Sequence, residues 1–413
     1  MQDKEIERLI RLEEKRKKKV INLIASENYI SHDVSKALGS VFVNKYAEGY
    51  PSRRYYGGNE VVDKIERLCQ KRALKLFNLS PNKWHVNVQP YSGSPANLAV
   101  YCALVPQGGK IMGMSLENGG HLTHGQKVSL TGKIWKQVPY GVDRKTETIN
   151  YDEVLKIAKK EKPALIIAGA TAYSRKIDFK KFREIADAVD AYFMVDMSHI
   201  AGLVAGGVHP SPFPYADVVT TTTHKTLRGP RAALIFSRRG GKTAKRRLHS
   251  QSITEAVNKI VSTWTLSVQE AIDRAVFPGL QGGPHMNQIA AAAVCLKEAM
   301  QSNFKKYIRQ LVRNAKVLAN ELKKKGWRII SDGTDTHLFL VDTFSRGISG
   351  KEATERLEKA GIIVNKNTIP FDKRKPMDPS GIRIGTPAVT TQGMKEKEMK
   401  LIAGRIDSIL RLR

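Results

Sequence analysis

The sequence predicts an α/β protein, a large domain built on a mostly parallel sheet with a smaller C-terminal α/β domain after it. Two observations carry this. Between residues 164 and 236, short apolar runs alternate with stretches whose apolar residues recur at helical spacing, the pattern of strands joined by crossover helices. Near Gly279–Pro284 that texture ends, and a long helical stretch opens a region of shorter segments.

The elements follow in chain order. Residues 1–20 read as a charged helix with Ile6, Leu9, Ile10 and Leu12 as its apolar stripe. In EVVDKIERLCQKRALKLF, Val62, Ile65, Cys69 and Leu76 mark a second helix. Ser94-Pro95 reads as an N-cap followed by proline at the first helical position, opening a helix through Asn97–Leu104. Ala164–Ala168 is a strand, and Phe179, Phe182, Ile185, Ala186 and Val189 form a helical stripe. Tyr192–Val195 is a strand ending at Asp196, and Asp217–Thr222 and Ala232–Phe236 are strand-like again. A helical stretch from about Asn287 to Lys325 closes at Gly326, a natural residue just past a helix end. Strands are then expected at Thr336–Val341, Ile362–Val364 and Ile382–Ile384. This divides the chain into an N-terminal helical arm (1–30), a large domain (31–285) and a small domain (286–413). Ligands of parallel sheets sit beyond the carboxyl ends of the strands, where Asp196 and His224-Lys225 are expected.

Composition narrows the class. The 413 residues carry 69 Lys and Arg against 39 Asp and Glu, a net charge of +30, with 41% hydrophobic residues. That apolar content excludes wholesale disorder. No run approaches the roughly 18 apolar residues of a membrane span. The basic cluster Lys15, Arg16, Lys17, Lys18 and Lys19 is followed by no apolar run, so no secretory signal is expected. Cys69, Cys102 and Cys295 lack metal-ligand spacing and predict free thiols in a reducing, cytoplasmic setting, with no metal site. The positive charge admits a nucleic-acid partner or a basic solvated shell on an enzyme. Its spread along the chain favours the shell.

Several segments carry chemistry. Thr220-Thr221-Thr222-Thr223 leads into His224-Lys225, and four successive threonines gain nothing obvious in packing. A lysine partly desolvated at a strand end becomes an amine nucleophile suited to Schiff-base chemistry; a surface loop lysine is the competing reading. Asp196 suits either the protonated ring nitrogen of a pyridoxal cofactor or a helix N-cap. Ser92-Gly93-Ser94 precedes a helix start, a place for phosphate or for ordinary capping. Gly282-Gly283 before Pro284 offers flexible backbone donors or a plain turn. Arg383, in the run Gly381–Thr386, suits a bidentate carboxylate or a structural salt bridge. The Tyr- and Gly-rich stretch from Asn44 to Gly58 suits a functional loop or an oligomer contact.

Together these segments are recognisable. LIASENYIS (Leu23–Ser31), NKYAEGYP, RRYYGGNE, NVQPYSGSPAN, GGHLTHG, VDMSHIAGLVAGG, VVTTTTHKTLRGPR, VFPGLQGGP, THLFLVD, VNKN and SGIRIGTPA occur in that order. In these motifs the chain resembles the serine hydroxymethyltransferases over essentially its whole length. The resemblance implies a fold-type I pyridoxal-phosphate transferase of the aspartate aminotransferase-like architecture, passing the hydroxymethyl group of serine to tetrahydrofolate. It implies Lys225 as the cofactor lysine, Asp196 at the ring nitrogen and His121 stacked on the ring. Ser92, Gly93, Ser94 and His224 would contact the phosphate, with Tyr46 and Gly283 supplied by a neighbouring subunit. Thr171 and His199 match contacts near the cofactor's 3′-oxygen and the substrate. Ser26, Tyr56 and Arg383 match the residues of the amino-acid carboxylate, and Glu48 the carboxyl beside the serine hydroxyl and folate. Asn367, with backbone near Leu116, Gly120 and Leu122, matches the folate pocket. Shared residues imply a homodimer, with a tetramer as the other option.

Some positions depart from the family pattern. Pro95 stands where glutamine is common, Tyr91 and Asn118 where histidines are frequent, Thr171 for serine, and Phe371 for a polar residue. Between Arg238 and Arg274 the chain is longer than many bacterial members, with Lys242, Lys245, Arg246, Arg247 and Lys259 in an insertion at about 240–265. A surface lobe, or a charge that attracts polyglutamylated folate or RNA, would account for it. Two rivals stand beside the main reading: a folate-independent β-hydroxyamino-acid aldolase, and a basic RNA-binding homologue without catalysis. Intact Lys225, Asp196, Arg383 and Glu48 count against the second.

Overall fold

The computed structural model describes residues 1–240, 243–244 and 266–411. The expected insertion at about 240–265 therefore lies almost wholly outside the described residues. Two compact units form, one from residues 30–171 and 176–308, the other from residues 1–29, 172–175 and 309–413.

In the second of these, α1 (Lys4–Lys19) is capped by Asp3, whose carboxylate accepts the N–H groups of Glu5 and Ile6. Acidic residues in its first turn and Arg16–Lys19 in its last complement the helix dipole. None of its residues is buried, including the Ile6, Leu9, Ile10 and Leu12 stripe. Residues 21–22 then pair in parallel with 362–363.

The first unit is built on seven strands: β1 (Trp84–Asn87), β2 (Lys110–Met114), β3 (Lys136–Tyr140), β4 (Leu165–Ala168), β5 (Tyr192–Asp196), β6 (Val218–Thr222) and β7 (Ala233–Arg238). Their order is β1-β7-β6-β5-β4-β2-β3, with β7 antiparallel to both neighbours and the run from β6 to β3 parallel. All four residues of β4 and all five of β6 are buried, as expected of strands covered on both faces. Around the sheet lie α2 (Glu60–Leu76), α3 (Gly93–Leu104), α4 (Tyr151–Glu161), α5 (Phe179–Asp187) and α6 (Met286–Ala299). One core joins Val100, Leu104 and Trp135 to Leu165, Ile167, Met194, Val218 and Ile235.

Two expectations need correction. The helix expected to open at Ser94-Pro95 starts at Gly93, with extended Ser92 as its cap residue; Pro95 sits third, still in the turn whose N–H groups have no helical partner. The helical stretch 287–325 is two helices, α6 and α7 (Ser302–Lys324), broken at Met300-Gln301. Continuous apolar spacing on either side of the break hides it from a periodicity reading. Gly326 does end α7: its φ is +83°, its N–H donates to Lys323, and that of Trp327 donates to Leu322, the double bond of a Schellman closure.

The remaining strands of the second unit are β8 (Arg328–Ile329), β9 (Leu338–Asp342), β10 (Asn365–Asn367) and β11 (Gly381–Gly385), in the antiparallel order β8-β9-β11-β10. With α8 (Gly350–Lys359) and α9 (Glu396–Arg411) they enclose a core of Leu318, Leu322, Trp327, Phe339, Leu357, Ile382, Ile384, Met399 and Ile406.

Candidate active site

Asp196 is the last residue of β5 and is buried. Its Oδ2 accepts hydrogen bonds from Asn97 Nδ2 at 2.9 Å and from His124 Nε2 at 3.2 Å, while Oδ1 accepts the N–H of Ser198 at 3.0 Å. One oxygen ties the following turn, the other faces two side-chain donors, and the residue is not a helix N-cap: the helix after this turn, Ala201–Ala205, is capped at Ile200. Burial alone would push this carboxyl up. The hydrogen bond and field of His124, with the charge of Lys225, hold it well below the usual carboxylate range instead.

Behind the carboxylate the network continues. Asn97 Oδ1 accepts from Thr220 Oγ1 at 2.8 Å, and Asn97 Nδ2 also reaches Thr123 Oγ1 at 2.9 Å. Thr123 Oγ1 lies 2.7 Å from His121 Nδ1, which also accepts the Thr123 N–H. Sequence reasoning missed Asn97, Thr123 and His124 as functional. The available signal was a polar Asn inside an apolar helix and a second histidine one turn after the first.

Each threonine before Lys225 has its own position. Thr220 serves Asn97, Thr221 Oγ1 donates to the Thr222 carbonyl, and Thr223 Oγ1 donates to the Pro230 carbonyl. Thr222 Oγ1 and His224 Nδ1 are buried with no hydrogen-bond partner among the described residues. Lys225 follows, and its charge acts on His121, His224 and Asp196 alike. Burial, then repulsion from Lys225 and Arg231, pulls His224 down to about 3. Burial, with His124 and Lys225, pulls His121 down to about 4.

The start of α3 lies against this end of the sheet. Ser92 makes no side-chain cap bond, so its hydroxyl leaves the first-turn amides uncovered, and Pro95 has none. A Cβ at Gly93 would lie 2.8 Å from Thr222 Cγ2, so any larger residue there must displace the Thr222 side chain or the helix start, beside the unpartnered Thr222 hydroxyl. Thr171 joins the rim through Oγ1, 3.2 Å from the Gly119 and 3.1 Å from the Gly120 carbonyl. Buried His199 is tied to the lysine segment by Thr226 Oγ1, which donates to its carbonyl. Leu116 and Leu122 lie in short 3₁₀ turns on either side of Gly120, with Leu122 exposed.

A second group gathers in the same unit. The Tyr46 and Tyr56 rings meet edge to face with centroids 5.1 Å apart. A Cβ at Gly283 would lie 3.3 Å from the Tyr46 ring, and one at Gly282 would lie 3.0 Å from Glu48 Oε1. Tyr91, immediately before Ser92, donates from its hydroxyl to the Gly283 carbonyl at 2.8 Å and stacks on His285.

Ser26, Asn367 and Arg383 fall in the other unit. Arg383 lies on β11 beside Asn365 of β10, and its Nε donates to Asn365 Oδ1 at 3.0 Å. Burial pulls the guanidinium down to about 10. The Leu23 carbonyl accepts from Gly385 on the same strand, which brings the segment bearing Ser26 alongside it.

The residues fit a pyridoxal phosphate: a buried ionised carboxylate for the ring nitrogen, a lysine at the strand end, and a glycine-lined helix start with unpartnered polar atoms beside it. A parallel sheet with this set at its carboxyl edge defines a fold-type I pyridoxal-phosphate enzyme. The serine hydroxymethyltransferase family model matches residues 1–406. A serine hydroxymethyltransferase of Koribacter versatilis (strain Ellin345) is 52% identical over 412 residues, covering 100% of this chain and 89% of the relative. The chain belongs to the serine hydroxymethyltransferase family. The activity that membership carries is that of a one-carbon transferase, a glycine hydroxymethyltransferase. The family is pyridoxal-phosphate dependent, takes tetrahydrofolate as co-substrate and is oligomeric. Among the described residues no helix is long and apolar enough to cross a membrane.

Proposed function

We propose that the cluster at the carboxyl edge of the sheet holds pyridoxal 5′-phosphate and uses it for the reversible conversion of serine and tetrahydrofolate to glycine and 5,10-methylenetetrahydrofolate. The observation that carries this reading is Asp196, a buried carboxylate kept ionised by two donors on one oxygen, with Lys225 in its field. When bound, the cofactor supplies an electron sink for the bond broken in serine. Lys225 is the lysine that carries it, and Asp196 is the anion that keeps its ring nitrogen protonated. Ser92, Gly93, Ser94 and His224 take the phosphate. His121, neutral because it is buried, presents an uncharged ring to the cofactor, and Thr171 and His199 serve its 3′-oxygen side and the substrate.

Ser26, Tyr56 and Arg383 are assigned to the amino-acid carboxylate. The planar guanidinium offers two parallel donors, which fixes the orientation of the bond to be broken. Glu48 exchanges a proton with the serine hydroxyl or the folate, and positioned acid–base help of this kind is worth about 10²–10⁴-fold. Asn367, and the backbone at Leu116, Gly120 and Leu122, are assigned to the folate. Tyr46, Glu48, Tyr56 and Gly283 lie together on one chain, which suits their donation as a set to the site of a neighbouring copy in a homodimer. The free thiols suit a cytoplasmic setting.

The test is an absorbance spectrum of the protein loaded with pyridoxal phosphate. A visible band that Lys225→Ala abolishes, and that moves to longer wavelength with glycine plus tetrahydrofolate, supports the assignment. Response to glycine with indifference to folate would move the reading to the aldolase, and no bound chromophore would overturn it. For the shared sites, mixing Lys225→Ala with Tyr56→Phe chains should restore activity. A mixture that stays inactive would mean each chain completes its own site.

A further inference from the structure

Glu48 sits in a loop with little regular structure, yet its backbone is held at three successive carbonyls. The Glu48 carbonyl accepts the N–H of Tyr55 at 3.1 Å. The carbonyls on either side, Ala47 and Gly49, both accept from the same nitrogen, Nη1 of Arg54, at 2.9 and 2.8 Å. The Arg54 side chain is only 4% exposed. Its other two nitrogens donate as well: Nε to Asp63 Oδ1 at 2.9 Å and Nη2 to Glu66 Oε2 at 2.5 Å.

A second residue closes the ring. Gln89 Nε2 donates to the Gly49 carbonyl and to Glu66 Oε1, each at 2.9 Å. Asp63 uses its second oxygen to take the N–H of Ser52 at 2.6 Å, fixing the turn between Gly49 and Arg54. Gly49 itself has φ +92°, and a Cβ there would lie 2.2 Å from the Arg53 carbonyl oxygen, so the chain can fold back onto Arg54 only through glycine. Two acidic groups on α2 would suffice to neutralise a buried cation. Aiming both Nη1 hydrogens at the carbonyls flanking Glu48 goes beyond neutralisation and determines where the Glu48 side chain leaves the backbone.

We propose that Arg54 is a positioning residue for the Glu48 carboxyl, with Gln89 as its support. The inference rests on the reading of Glu48 as the proton-handling group. Lysine cannot replace Arg54, because an ammonium is a point donor with three hydrogens and lacks the planar fork that meets these acceptors from different directions.

The experiment is a double-mutant cycle on the cofactor-loaded enzyme, with Arg54→Lys and Glu48→Gln singly and together. Arg54→Lys should lower kcat for serine with tetrahydrofolate by roughly 10- to 100-fold, the scale of a misplacement of about 1 Å, with a smaller change in the KM for serine. On the Glu48→Gln background the same substitution should change kcat little, because the group it positions has lost its function. Exchange of the glycine α-proton with solvent, which needs no proton at the hydroxymethyl group, should stay near the parent rate in Arg54→Lys. An equal fold-loss on both backgrounds, or proton exchange falling in parallel with kcat, would overturn the proposal. If Glu48→Gln alone leaves kcat untouched, the reading of Glu48 fails first. Should Arg54→Lys not fold, Gln89→Met in the same cycle decides: its loss of kcat should vanish on the Glu48→Gln background, and an additive loss overturns the proposal.

Discussion

His124 donates from Nε2 to Asp196 Oδ2 across 3.2 Å, while its Nδ1 accepts the backbone N–H of His121. The backbone bond fixes which ring nitrogen carries hydrogen, so the imidazole is aimed at the carboxylate. A bond to a buried charge is worth about 1.5–3 kcal/mol. Replacing His124 by Gln or Ala should therefore raise the Asp196 pKa and weaken pyridoxal-phosphate binding by about tenfold or more. Spectrophotometric titration of the cofactor-free variant measures this; an unchanged dissociation constant would remove His124 from the site.

The two depressed histidines make stability pH-dependent in a defined direction. An unfolded histidine titrates near 6.5, whereas folded His121 and His224 take protons only near 4 and 3. Below about pH 6.5 the unfolded chain binds more protons, so stability falls as pH is lowered, down to about 4 for His121 and about 3 for His224. Above pH 6.5 both rings are neutral in either state and the contribution is fully present. Asp196, depressed as a carboxylate, adds a further loss only below about pH 4. Thermal unfolding of the cofactor-free protein between pH 8 and 5 should show a falling Tm. His121→Asn should flatten that fall, and an identical slope in the variant would contradict the assignment.

Gly93 and Thr222 offer a rescue test. The Gly93→Ala methyl would meet Thr222 Cγ2 at 2.8 Å, so the start of α3 or the Thr222 side chain must shift. Overpacking of this kind costs about 1–3 kcal/mol, and the cost falls on the proposed phosphate cradle. Gly93→Ala should bind pyridoxal phosphate more weakly, and Gly93→Ala with Thr222→Ser, which removes the opposing methyl but keeps the hydroxyl, should recover much of the affinity. No recovery would mean the loss has another cause.

Of the seven strands of the main sheet, β4 to β7 were legible because buried strands are continuous apolar runs, with Asp196 at the end of one and Lys225 just beyond another, whereas β1, β2 and β3, interrupted by His85, Gly113, Gln137 and Pro139, were not expected. The start of α3 was not legible either, because Ser92 and Ser94 are equally good caps by composition and only the backbone angles choose between them. Nor was the break at Met300-Gln301, where neither proline nor glycine marks the stop. The supporting polar residues were hardest. Asn97 and His124 reach Asp196, and Gln89 reaches Glu66, across 23 to 99 positions, a distance over which spacing carries no information, and Arg54 sits in a stretch without periodicity. Family motifs contained them without saying what they touch.

Gly282 gives the last prediction. The Cβ of an alanine there would lie 3.0 Å from Glu48 Oε1, a contact tight enough that one of the two must yield. The backbone of Glu48 cannot, since the carbonyls of residues 47, 48 and 49 are each held. The carboxyl is the free end of a rotatable side chain, and turning it costs little, of the order of 0.5–1.5 kcal/mol if it leaves its rotamer. Gly282→Ala should therefore keep a Tm near that of the parent while lowering kcat for serine with tetrahydrofolate, a split that a packing defect would not produce. Glu48→Asp in the same background, with its shorter reach, relieves the contact and should remove most of the further penalty of the alanine. Equal losses of Tm and kcat in Gly282→Ala would show instead that the glycine serves the turn and that the Glu48 carboxyl is not what it leaves room for.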